Sequence, residues 1–84
     1  MFLSVKSALY LDNYTLRLKF SDGVVKDVDL SNELYGQMFE PLKEISFFKK
    51  FKVSSELGTI FWPNDADFAP EFLYEKGVTV DKAA

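Results

Sequence analysis

An α+β fold, an antiparallel β-sheet of about five strands with two or three short helices on one face, is what these 84 residues predict. Three observations lead there. Tyr14–Phe20 alternates cleanly, with Tyr14, Leu16, Leu18 and Phe20 on one side and Thr15, Arg17 and Lys19 on the other, the mark of a half-buried strand. Ser21-Asp22-Gly23 then turns the chain into a second strand-like run, Val24–Leu30. Finally, Pro70 and Gly77 bracket a short helix-compatible stretch, proline suiting its first position and glycine the position after its end.

In chain order, Phe2–Leu11 reads as a first strand with Leu3, Val5 and Leu9 on one face, and Asp12-Asn13 as the turn after it. The register of the next hairpin follows from its loop. A type I turn closed by Gly23 in the left-handed region pairs Phe20 with Val24, Leu16 with Val28 and Tyr14 with Leu30. It sets Arg17 across from Asp27, and leaves Lys26 facing Leu18 with its stem along the apolar surface. A one-residue slip would turn every side chain over, so this register is favoured.

Ser31 is the expected N-cap of one or two short helical turns over Ser31–Lys43, with Glu33 in the first turn and Leu30 and Tyr35 as a hydrophobic staple. Gly36 and Pro41 forbid a longer helix. Ile45–Lys50 is a further short helix with Ile45 and Phe48 or Phe47 inward. Phe51–Ser54 and Thr59–Trp62 are paired strands around the Glu56-Leu57-Gly58 turn, and Pro63 ends the second because proline cannot donate to a ladder. Asn64–Asp67 is a polar loop, Phe68 and Leu73 form another staple, and Val78–Val80 makes one short strand. A single domain over 1–84 is expected, without repeat or linker.

Composition narrows function more than it names it. A chain of this length buries only roughly 60–65% of the surface its unfolded form exposes, so the core must be rich. A hydrophobic content of 48% and nine Phe, four Tyr and one Trp supply that. With no cysteine there are no disulfides, thiolate metal sites or thiol nucleophiles; with no histidine the usual general base is missing. The net charge is −3 and Arg17 is the sole arginine, a poor endowment for phosphate contacts. No apolar run reaches the roughly 18–20 residues that span a bilayer. Met1–Leu11 lacks a basic leader and a small-residue cleavage site, so a cytoplasmic protein is expected.

Two stretches resemble a known family. One is Tyr14-x-Leu16-x-Leu18-x-Phe20-x-Asp22-Gly23 with Val28-Asp29-Leu30 and Phe39-Glu40-Pro41-Leu42-Lys43. The other is Gly58-Thr59-Ile60-Phe61-Trp62-Pro63-Asn64-x-x-Asp67-x-Ala69-Pro70-Glu71-x-Leu73-Tyr74. Together they are similar to the small bacterial family called domain of unknown function 2442, over roughly Val5 to Tyr74. The chain departs from it at Ser46, near which a helix-starting proline is expected. The resemblance implies a compact α+β domain. Some members carry a helix-turn-helix domain after this module, which implies a sensing or regulatory role; none is expected before Ala84. Free-standing members are encoded beside another small protein, an arrangement similar to toxin–antitoxin pairs.

Each candidate site has a plainer reading. Asp65, Asp67 and Glu71 could hold a divalent cation for a metal-dependent enzyme, but the spacing lacks the central glycine and terminal glutamate of a calcium loop. Asp67 is then a cap for the helix at Pro70, and Asp65 faces water. Asp27 and Asp29 share a strand face, yet acid–base work needs one of them buried with a raised pKa, and Arg17 opposite Asp27 opposes that. Lys49, Lys50 and Lys52 interleave with Phe47, Phe48 and Phe51, a pattern for weak nucleic-acid binding, but the phenylalanines suit a core better.

Trp62, Asn64, Asp67 and Tyr74 are the expected partner-binding residues, a proline-stiffened aromatic beside a polar loop. The alternative is that Trp62 anchors the last helix through Phe72 or Tyr74. The leading expectation is a non-catalytic interaction or regulatory module, with no cofactor and no catalytic or metal-binding residue. Its partner is another protein, such as the product of an adjacent gene, or a second copy of the chain.

Overall fold

The computed structural model describes residues 2–80. Six strands and two helices follow in the order β1 (Val5–Asp12), β2 (Thr15–Phe20), β3 (Val25–Asp29), α1 (Ile45–Phe48), β4 (Lys52–Ser54), β5 (Thr59–Phe61), α2 (Pro70–Lys76) and β6 (Val78–Thr79). Single 3₁₀ turns occupy Ser31–Glu33 and Glu40–Lys43 between β3 and α1. All pairings are antiparallel, so the architecture is α+β as expected. The strands divide into a four-stranded sheet in the order β1-β2-β3-β6 and a β4-β5 hairpin.

The β2–β3 register is the one argued from the turn. Leu16 faces Val28, Arg17 faces Asp27 and Leu18 faces Lys26. The Phe20 amide donates to Val24 at 2.9 Å, and Gly23 sits at φ 87°, which only glycine adopts without cost. Tyr14 lies in the turn rather than on β2, but its carbonyl still accepts from the Leu30 amide at 2.9 Å.

β1 departs from expectation. Its register shifts between Val5 and Ser7, a bulge at Lys6. One extra residue reverses the alternation beyond it. Val5, Ala8 and Tyr10 therefore face Phe20, Leu18 and Leu16, while Leu9 pairs with Arg17 and is 58% exposed. Leu9 does not share a face with Val5.

Two helix-start expectations are also corrected. The Asp29 carboxylate, not Ser31, accepts the first free amide, that of Ser31, at 2.9 Å. Tyr35 is no staple: it is 67% exposed and Leu34 is buried in its place. Likewise Asp67 makes no cap to α2, whose N-cap is Ala69 without a side-chain bond.

The core lies between the sheet's inner face and the helices. Leu16, Leu18, Phe20, Val28, Leu30, Leu42, Phe48, Ile60, Trp62 and Leu73 are all buried. α2 packs on β3 at a close approach. A Cβ built on Gly77 would lie 2.8 Å from the Lys26 Cβ and 3.0 Å from the Val28 Cγ2. Gly77 is needed for contact, not for a left-handed cap, since its φ is −71°. No described helix is long and apolar enough to cross a membrane.

Candidate functional site

A groove of about 300 Å³ opens between two loops and α2, lined by Tyr35, Phe39, Asp67, Phe68, Ala69 and Phe72, with Glu33 at one end. Its floor is a ladder of rings. Phe39 stacks on Phe68 at 4.6 Å between centroids, and Phe68 stacks on Phe72 at 5.6 Å. Trp62 meets Phe68 edge-on from below at 5.9 Å. Tyr35 and Phe72 stand exposed at the walls. Parallel stacking of this kind contributes roughly 0.5–1.5 kcal/mol per pair beyond area burial, so the ladder is a rigid apolar surface.

Local chemistry builds each wall. The loop after the first 3₁₀ turn carries Tyr35 and Phe39, and the Phe39 and Glu40 amides both donate to Gly36. On the facing side, Asn64 accepts from the Ala66 amide at 3.2 Å, and the Asp65 amide donates to Trp62 at 2.8 Å. Asn64 also spans the gap, its side-chain amide donating to the Met38 carbonyl at 2.9 Å. At the end of the groove, Lys76 lies 3.4 Å from Glu33.

The four residues expected at a partner surface have separate fates. Trp62 is wholly buried, its indole N–H donating to the Phe48 carbonyl at 2.7 Å and its ring packed on Phe48 and Phe68. It offers no outer surface, and it braces those rings rather than Phe72 or Tyr74. Asn64 ties two loops together. Tyr74 lies away from the groove lining; its hydroxyl donates to Asp22 at 2.6 Å, and the Lys26 ammonium sits 3.9 Å over its ring. Asp67 alone of the four lines the groove.

The other candidates resolve in the same manner. Among the described residues no three of His, Cys, Asp or Glu gather where they could hold a metal ion, so Asp65, Asp67 and Glu71 are not brought together. Arg17 grips Asp27 through two bonds, at 2.8 and 3.1 Å, and that hydrogen bonding holds the Asp27 carboxyl below its ordinary range. The Ser31 amide does the same for Asp29. Neither carboxyl is raised toward acid–base use. Phe48 is buried while Phe47 and Phe51 pack against the core, so Lys49, Lys50 and Lys52 have no free aromatic platform among those rings. The Lys49 ammonium instead lies 5.1 Å over the Tyr10 ring.

Tyr35, Phe39 and Phe72 were not among the residues the sequence marked for binding. The sequence pattern placed Tyr35 in a staple with Leu30 and gave Phe39 and Phe72 no local mark of exposure.

Set beside known proteins, residues 5–79 match the family described as "Protein of unknown function (DUF2442)". No curated protein and no solved structure matches the chain.

Proposed function

We propose that this chain, which belongs to the DUF2442 family, is a non-catalytic interaction module that receives an apolar side chain of a partner protein in the Tyr35–Phe39–Phe72 groove. One observation carries the reading: a groove whose exposed walls are Tyr35 and Phe72, with the partly buried Phe39 beside them, over a stacked floor formed by the buried Phe68, on a chain whose other large rings are mostly spent on its core. Exposed apolar area of this kind is costly to keep unless something covers it. Aromatic side chains also dominate binding energy where they line pockets. Asp67 on the rim supports a partner segment that sets a basic residue beside its apolar anchor.

The preferred partner is the small protein encoded next to such chains, as in a toxin–antitoxin-like pair. Co-expression of the two should give a stoichiometric complex. Tyr35→Ser and Phe72→Ser should each weaken it about tenfold or more while leaving the thermal midpoint within a few degrees. A complex indifferent to both substitutions, or no complex with folded protein, overturns the reading.

A further inference from the structure

The four-stranded sheet has a second face, turned away from α2 and the core. The registers place four residues in one row across it: Leu9 opposite Arg17, Arg17 opposite Asp27, and Asp27 opposite Val78. The row reads apolar, positive, negative, apolar from one edge strand to the other. Leu9 is 58% exposed and Val78 is 72% exposed, and neither packs against the core cluster. At the centre the Arg17–Asp27 pair lies at 2.8 Å, its side chains 42% and 32% exposed.

Such a row is complementary to itself under one symmetry only. A two-fold axis along the strand direction lays Leu9 on Val78 of a second copy, and Arg17 on its Asp27. The flanking rows agree. Thr15 would meet Asp29, and Lys19 would meet Val25, so no like charges are apposed. An axis across the strands would instead put Arg17 on Arg17 and Asp27 on Asp27, which is repulsive. Sheets that stack face to face keep their strands within about 30° of each other, about 10 Å apart, as the favourable axis requires.

From this we infer that the outer sheet face binds a second copy of the chain, as an isologous dimer about an axis along the strands. The face spans four strands about 4.8 Å apart, with β6 contributing only Val78 and Thr79. That is smaller than a standard interface. The dimer is therefore weak and calls for high protein concentration to populate it. The inference is independent of the groove, which lies beyond the opposite face.

Sedimentation equilibrium of the full chain up to about 1 mM tests it. The wild type should dimerise. Leu9→Lys and Val78→Glu alone should each raise the dissociation constant about tenfold or more, with unchanged circular dichroism because both sites are exposed. An equimolar mixture of the two variants, and the double variant L9K/V78E, should recover dimer, since the ammonium introduced on β1 then faces the carboxylate introduced on β6 of the other copy. A monomeric wild type, a dimer insensitive to Leu9→Lys, or no recovery in L9K/V78E would overturn the proposal. Nuclear Overhauser contacts between Leu9 and Val78 of differently labelled copies would confirm the axis; Leu9–Leu9 contacts would refute it.

Discussion

Tyr74 shows how much a single side chain does in a domain this small. Its ring stands edge-on to Phe20 at 4.9 Å, its face carries the Lys26 ammonium, and its hydroxyl reaches Asp22 in the β2–β3 turn. The bond to Asp22 raises the phenol above its usual 10.0. The same bond, helped by the Val24 amide, lowers the Asp22 carboxyl below 3.8. The signs follow from linkage. A raised group stabilises below its unfolded value and ceases to as pH rises through its folded one. A lowered carboxyl stabilises above 3.8 and ceases to as pH falls through its folded value. The urea midpoint should therefore be level between about pH 5 and pH 9 and fall on both sides. Tyr74→Phe should remove part of the alkaline fall, and leave an acid limb from Asp27 and Asp29, both also lowered. An alkaline limb undiminished in Tyr74→Phe would contradict this account.

At the scale of elements, α2 depends on a residue with no side chain. Gly77→Ala would drive a methyl group against the Lys26 and Val28 side chains close to the β3 backbone, which cannot swing away. The expected cost is about 1–3 kcal/mol, read from chemical denaturation; a neutral substitution would mean that α2 is free to lift. Legibility varied by element for physical reasons. The β2–β3 hairpin could be read because its apolar alternation, its Asp22-Gly23 turn and the Arg17–Asp27 pair all demand one register. The β1 strand could not, because Ala8, Leu9, Tyr10 and Leu11 are apolar on both faces and do not reveal the bulge at Lys6. Helix starts failed where neighbours compete. Ser31 and Asp29 are both able caps, and only the backbone path decides between them.

At the scale of the whole molecule, Trp62 joins the hairpin to the helices. It follows directly on β5, reaches Phe48 of α1 through its indole N–H, and supports Phe68 under the groove. Trp62→Phe should leave the Phe48 carbonyl unpaired and open a void, at a cost of about 2–4 kcal/mol. Far-UV circular dichroism against urea would measure it, and a loss below about 1 kcal/mol would place the joint elsewhere. The binding surface was less legible than the core because it is assembled by distance. Phe39 and Phe72 lie far apart in the chain, and nothing local to either shows that Phe68 will stack between them. Trp62 is buried under the groove, Asn64 ties its two loops together, and Tyr74 braces the β2–β3 turn.

Between Phe72 on the groove wall and Val78 on the outer sheet face runs less than two turns of helix, joined to β6 by Gly77 alone and wedged against β3. The two surfaces share this one short stretch of backbone, yet separate contacts set the residue at each end: Phe72 by stacking on Phe68, Val78 by pairing with Asp27.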